Sequence, residues 1–303
     1  MPFPQTDAPD LVLGGGGFAG AHLVAELSAD REVAAPPRAE LDLTEARAVR
    51  DAVRALRPRA VFHLAGFSNP RLSWEQPREA VMSNVEMTLN VLEAVREEAP
   101  EARVVLVSSG QVYETHGEAH VTETTPLDPP SPYAVSKVAS DMLGAQYASG
   151  HGLSVVRMRP FNHAGPGQSE EYVLATLARQ VAEAETRGAA EAVLRTGNTS
   201  AARDFTDVRD VVRAYALAAE AEPGVYNVCS GNCTTVAQLI DLLRGSAAVP
   251  IRNEVDPERL RTHDARAIRG SHDRLTAATG WEPEIALEQT VRDTLEWWRS
   301  QLG

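Results

Sequence analysis

The sequence predicts an α/β fold, a doubly wound parallel sheet joined to a smaller, interleaved α/β lobe, and three observations carry that prediction. In the first half of the chain, short apolar runs alternate with segments of helical period, the pattern of parallel strands buried on both faces. Four consecutive glycines, Gly14 to Gly17, follow the first apolar run and precede the first helical segment. After Pro160 the strict alternation loosens, so a lobe of different construction is expected there.

The elements follow in order. Leu11, Val12 and Leu13 form a brief strand, and residues 18–27 read as helix. Residues 44–56 (TEARAVRDAVRAL) place Val49, Ala52, Val53 and Leu56 at i, i+3, i+4 and i+7, with Pro58 beyond the end. The apolar run 60–65 (AVFHLA) reads as a strand, residues 79–98 as a long helix, and 103–107 (RVVLV) as another buried strand. A polar, proline-rich loop leads to Ser131, then a helix, then the strand 153–158 (LSVVRM). Beyond it, glycine-rich PFNHAGPGQ (160–168) precedes a helix through Glu185, and 203–215 (RDFTDVRDVVRAY) with 225–231 (VYNVCSG) read as a return to the first unit. Thr235 and Gln238 have capping-box spacing before a helix whose apolar face is Val236, Leu239, Ile240 and Leu243. A last helix aligns Leu287, Val291, Leu295 and Trp298.

The chain of 303 residues carries a formal net charge of -13. Long-range repulsion then opposes nucleic acid or an anionic membrane as partner. Two cysteines, Cys229 and Cys233, are too few for a disulfide framework or a four-cysteine zinc site and read as buried thiols in a reducing compartment. His116 and His120 lie four apart in a glycine-containing loop without further ligands nearby, so no metal site is expected. No apolar run approaches the ~18 residues of a membrane span. The first ten residues have neither a basic nor an apolar targeting region, and a cytoplasmic protein is expected.

Gly14, Gly17 and Gly20 form G-x-x-G-x-x-G between strand and helix. Such a turn lets a pyrophosphate approach main-chain N–H groups at the helix N-terminus, as in a Rossmann unit. An acidic residue for the adenosine ribose is expected roughly 20 residues further on. There the chain reads VAAPPR (33–38), with no acid but with Arg38. An arginine suits a 2′-phosphate, which favours NADP(H), with NAD(H) as the alternative.

SPYAVSK, residues 131–137, contains the only lysine of the chain. Ser131 can cap a helix and Pro132 can open it, which puts Tyr133 in the first turn with Lys137 on the same face at i+4. An ammonium and a helix N-terminus beside a phenol of ordinary pKa about 10 are expected to lower it and give an acid/base centre. The competing reading is a surface i,i+4 pair. Ser109 ends the strand RVVLV, where ligands bind in doubly wound sheets, and could orient a substrate oxygen.

SSGQVY, SPYAVSK and GGGGFAG together resemble the extended short-chain dehydrogenase/reductase family acting on nucleotide sugars, over residues 11–298. RPFNHAGPGQ, RDFTDVRDVVRAY, YNVCSG and TGWEP sharpen the likeness to the GDP-4-keto-6-deoxy-D-mannose reductases, near relatives of the GDP-mannose 4,6-dehydratases. The resemblance implies Ser109, Tyr133 and Lys137 as a catalytic triad. It implies that Gly14, Gly17, Phe18 and Ala19 face the cofactor pyrophosphate and that Asp42 and Leu43 flank the adenine. Leu64, Ala65, Gly66 and Pro160 would line the nicotinamide side. Gln111, Asn162, Val173, Arg203 and Arg261 would hold the nucleotide sugar, Arg203 and Arg261 as guanidinium forks on its diphosphate. Residues 1–160, with return segments near 203–231, are expected to form the dinucleotide-binding domain, and 161–202 with 232–303 the substrate domain. By the same likeness a homodimer is expected, paired through the helices 79–98 and 132–147.

Dehydratases of this family carry an Asp-Glu pair just after the serine or threonine, where this chain has Gly110 and Gln111. Neither residue can carry the proton transfers of dehydration. Reduction of a 4-keto group on a nucleotide-linked 6-deoxy sugar, GDP-linked, is therefore expected. A 4-epimerase with tightly bound NAD is the rival; a dehydratase and a non-catalytic nucleotide-sugar sensor stand further off. The chain departs from the family pattern at Leu13, Met87 and Glu114 to His116, and His163 is read as a structural or substrate-contacting residue.

Overall fold

The computed structural model describes residues 8–113, 119–259 and 268–303. It begins with β1 (Asp10–Leu13), α1 (Phe18–Leu27), the two-residue β2 (Val33–Ala34), α2 (Ala46–Leu56), β3 (Ala60–His63), the short α3 (Leu72–Glu75), α4 (Pro77–Glu98) and β4 (Arg103–Val107). Then come β5 (Ala119–Val121), α5 (Pro132–His151), β6 (Ser154–Pro160), β7 (Asn162–Ala164), α6 (Val173–Thr186), β8 (Ala192–Thr196) and β9 (Ala202–Asp207). The remaining elements are α7 (Val208–Ala218), β10 (Gly224–Val228), β11 (Cys233–Thr235), α8 (Val236–Arg244), β12 (Ile251–Val255), β13 (Ile268–Gly270), α9 (Asp273–Thr279) and α10 (Leu287–Leu302).

Six strands form one sheet in the order β10-β6-β4-β3-β1-β2, every neighbour parallel. The order reverses beside β1, so the C-terminal ends of β1, β3 and β4 open on a crevice at the switch point. Alternation within each strand feeds two cores. Leu11 and Leu13 pack with Val49, Val53, Val91, Leu92 and Val95 of α2 and α4. Val12 points the other way, into a core with Leu23 of α1 and Val211 and Tyr215 of α7.

The second lobe is built on β7, β9 and β11 and on the parallel pair β8 and β12. Its core joins Leu174, Leu177 and Val181 of α6 to Leu239 and Leu243 of α8 and Val291 and Leu295 of α10. Thr235 and Gln238 make the capping box their spacing implied, opening α8. Residues 203–207 do not return to the six-stranded sheet, because β9 pairs with β7 and β11. The return starts with α7 and ends with β10 beside β6. Leu275 and Trp281 likewise reach back into the core of the first lobe. Among the described residues no helix is long and apolar enough to cross a membrane.

Candidate active site

A cleft of about 2580 Å³ runs along the crevice between the lobes. Its floor is the glycine turn. Gly14 has φ 94°, and a methyl group added there would lie 2.7 Å from the Ala65 amide nitrogen. One added at Gly20 would lie 2.0 Å from the Gly14 carbonyl oxygen, so only hydrogen fits at either position. The turn thereby leaves bare backbone facing the cleft, and α1 starts with neither a side-chain cap nor an acid in its first turn. A pyrophosphate would meet the N–H groups and the positive end of that helix, so the residues fit a dinucleotide.

The same cleft is bordered by Gly17, Phe18, Ala19, Arg38, Asp42, Leu43, Leu64, Ala65, Gly66 and Pro160 from the expected cofactor set. Ser109, Gln111, Tyr133, Lys137, Asn162, Val173 and Arg203 border it as well. Arg261 and residues 114–116 lie outside the described residues. Arg38 is exposed on the rim near Asp42, whose carboxyl is held below its usual range first by the Thr44 backbone N–H and then by the Thr44 hydroxyl.

The reacting groups come from α5 and the end of β4. Ser131 Oγ accepts from the Ala134 N–H at 3.1 Å and Pro132 occupies the first turn, a start that contributes about 1 kcal/mol to the helix. Tyr133 is then buried, 8% exposed, with Lys137 Nζ 6.0 Å from its ring centroid. The Ser109 hydroxyl lies close enough to the Tyr133 phenol to act on its charge. Ser109 Oγ also accepts from the Gln111 N–H at 3.1 Å, and Lys137 Nζ donates to the Val107 carbonyl at 3.0 Å. An intramolecular surface pair is thereby excluded.

One electrostatic expectation is corrected. Burial pushes Tyr133 up to about 12, only partly offset by the Ser109 hydrogen bond, so the phenol is not drawn below its ordinary value. Lys137 is itself buried, which pulls it down to about 8. Desolvation dominates here, and Tyr133 stands as a neutral proton donor. His63 cannot share that role: burial, and secondarily the Lys137 charge, hold it down to about 3.

Several contributors were not legible in the sequence. Asn84 Oδ1 accepts from the Phe67 N–H at 2.6 Å while its Nδ2 donates to the Ser136 hydroxyl at 2.8 Å, fastening the loop after β3 to α5. Across the cleft, Asn69 Nδ2 donates to Glu171 at 2.9 Å, and the Tyr172 hydroxyl reaches the Ser68 carbonyl at 3.4 Å. The ring of His163 stacks on Phe18 with centroids 5.8 Å apart. Gly110 lies against Phe161, where a methyl group would come within 2.8 Å of the ring. Each pairing joins distant parts of the chain, and no spacing rule reports it.

A family model described as GDP-mannose 4,6 dehydratase matches residues 36–294. The chain is 39% identical to the GDP-6-deoxy-D-mannose reductase of Pseudomonas aeruginosa over 96% of this chain and 97% of that one. Among solved structures, that of RMD from Pseudomonas aeruginosa complexed with NADPH superposes with a TM-score of 0.88 at 37% identity, covering 98% of this chain and 100% of that one. The UDP-glucose 4-epimerase of Thermus thermophilus, complexed with NAD, gives 0.84 at 30% identity, over 96% and 99% of the two chains.

Proposed function

The chain belongs to the GDP-mannose 4,6 dehydratase family of extended short-chain dehydrogenase/reductases, and from that membership we propose that it reduces a 4-keto group. The substrate is a nucleotide-linked 6-deoxy sugar, GDP-4-keto-6-deoxy-D-mannose, and the cofactor is NADPH. The observation that carries this reading is a buried Ser109–Tyr133–Lys137 cluster with no carboxylate at 110 or 111. The contact between Gly110 and the Phe161 ring leaves no room for an acid at 110 without moving that ring. The cleft of about 2580 Å³ also exceeds the roughly 300–1,000 Å³ of a site for one small ligand, as a cofactor with a nucleotide sugar requires.

Bound in this cleft, NADPH would supply the hydride for C4 of the sugar. Tyr133 delivers its phenolic proton to the ketone oxygen as charge develops there, so the carbonyl becomes a hydroxyl. The Ser109 hydroxyl holds that oxygen toward the phenol. Lys137 holds the nicotinamide ribose and offsets the charge left on Tyr133. Gly14, Gly17, Phe18 and Ala19 take the pyrophosphate, Asp42 and Leu43 flank the adenine, and Arg38 meets the 2′-phosphate. Leu64, Ala65, Gly66 and Pro160 line the nicotinamide. Gln111, Asn162, Val173, Arg203 and Arg261 bind the nucleotide sugar, so binding energy remote from C4 orients the ketone. In this division the first lobe serves the cofactor and the second the nucleotide sugar.

Purified protein mixed with NADPH and GDP-4-keto-6-deoxy-D-mannose is expected to consume NADPH, followed at its nicotinamide absorbance, and to yield the 4-hydroxy sugar. No consumption would defeat the substrate assignment. An epimerase is the second reading, favoured by the likeness to the Thermus enzyme. It would instead retain NAD through purification and turn over without added cofactor.

We also assign the protein to the cytosol, in keeping with its acidic charge and its free Cys229 and Cys233, and to a homodimer. The dimer is supported by large apolar side chains left exposed on two adjacent helices. Met82 and Leu89 of α4 are 54% and 39% exposed, and Val135 and Met142 of α5 are 43% and 54% exposed. Spacing of seven keeps each pair on one helical stripe, and buried together they would form the centre of an interface. Light scattering is expected to give the mass of a dimer for the native chain and of a monomer for the Met82→Glu, Met142→Glu double variant.

A further inference from the structure

Tyr172 sits at the N-cap of α6 yet makes no capping bond. Serine, threonine, aspartate or asparagine would be better there by about 1 kcal/mol, so the phenol is poorly explained by the helix it precedes. It leaves that helix and crosses the cleft to the Ser68 carbonyl, while the neighbouring Glu171 takes the Asn69 side-chain N–H at 2.9 Å. Ser68 and Asn69 follow Gly66, which lies beside Lys137: a methyl group at Gly66 would be 3.7 Å from its Nζ. The clasp therefore carries a second-lobe phenol to the wall of the cleft that holds Tyr133. The two phenols are near enough that a charge on Tyr172 would push Tyr133 up.

Two features identify what this phenol meets. Its bond to Ser68 is 3.4 Å long, beyond the roughly 2.5–3.0 Å of a good O–H···O bond, so the hydroxyl is held loosely and can turn to a stronger partner. Its neighbour Glu171 borders the same cleft with its carboxylate held by the neutral Asn69 amide, so its negative charge opposes a phosphate there. A neutral polyhydroxyl group fits where an anion does not. An aromatic ring adds an apolar face, which suits the C–H side of a pyranose.

We propose that Tyr172 is a sugar-positioning residue: its hydroxyl bonds a ring hydroxyl near the carbon reduced at Tyr133, and its ring covers the apolar face of the sugar. This rests on the nucleotide-sugar reading of the cleft. It assigns selection between sugars to the entrance of α6, and leaves the nucleotide to Arg203, which borders the same cleft.

The test is calorimetric titration with GDP and with GDP-mannose, on the native chain and on Tyr172→Phe, Tyr172→Ala and Asn69→Ala. The native chain is expected to bind GDP-mannose more tightly than GDP. Loss of one neutral hydrogen bond shrinks that preference about fivefold in Tyr172→Phe, and loss of the ring shrinks it further in Tyr172→Ala. GDP and NADPH affinities stay at native values in both, and Asn69→Ala keeps the sugar preference. A native chain without preference for GDP-mannose overturns the proposal. So do Tyr172 variants that keep the native preference, or that lose GDP and NADPH binding in equal measure. A Tyr172-dependent preference in a protein that fails to reduce the keto sugar upholds the proposal and sinks only the reductase reading.

Discussion

Tyr133→Phe is expected to lower kcat for NADPH-dependent reduction by roughly 10² to 10⁴, the usual range for removing a positioned general acid. Phenylalanine keeps the buried ring, which is 8% exposed, and removes only the hydroxyl beside Ser109. Affinity for NADPH and for the nucleotide sugar should therefore persist, readable by cofactor fluorescence and calorimetry. With Tyr133 pushed up to about 12 and His63 held down to about 3, the tyrosine carries a proton at neutral pH and the histidine does not. The native enzyme should accordingly show a flat rate below pH about 8 and a decline above it, as Lys137 gives up its charge. The decline belongs to the lysine, since Tyr133 keeps its proton through that window. Undiminished kcat in Tyr133→Phe would show that the proton reaches the sugar oxygen by another route.

The burial that sets those values was the part of the site hidden in the sequence. Ser131, Pro132, Tyr133 and Lys137 could be placed on one helical face because cap preference and the i,i+4 period are local rules. The same was true of α1 and β4, whose limits (Phe18–Leu27 and Arg103–Val107) were read from apolar pattern alone. Whether a phenol at that spot is wet or dry depends on Val107, Ser109 and the loop after β3, and the sequence does not report those distances. Hence burial turns the Tyr133 shift upward, against the local expectation, while Ser109 and Lys137 do border the same cleft. Long-range pairing decided the other differences. RDFT has the pattern of a buried strand but finds its partners in β7 and β11. Helix α2 opens at Ala46 because Asp42 draws in the Thr44 N–H and hydroxyl to make a turn of its own. Tyr172 and Ser68 lie 104 residues apart, and nothing local in either segment announces the clasp.

Asp141→Ala is expected to be the most destabilising single change in the catalytic helix. Asp141 is fully buried, one turn past Lys137 on α5, and accepts from Arg157 Nη1 at 2.6 Å and from Arg159 Nε and Nη2 at 2.8 and 2.9 Å. Burial works against the Arg159 charge, yet the Asp141 hydrogen bonds and attraction more than reverse it and leave Arg159 above its ordinary value. The same guanidinium donates to the Tyr113 hydroxyl at 3.0 Å, which in turn bonds Asn227 at 2.5 Å. Removing the carboxylate leaves a buried cation without its counter-charge, which costs about 3–5 kcal/mol. In a chain of this size that corresponds to a fall in Tm on the order of 10 °C, measurable by calorimetry. The loss should exceed that of the paired replacement Asp141→Leu, Arg159→Met, because the buried Arg159 charge is then removed with its partner and only the part-exposed Arg157 loses its carboxylate. The network also ties α5 to β6 and, through Tyr113, to the turn carrying Ser109 and Gln111. The folded fraction of Asp141→Ala should then show a lowered kcat with NADPH affinity retained. A paired replacement no more stable than Asp141→Ala would mean that the lost packing, and not the stranded arginine, sets the cost.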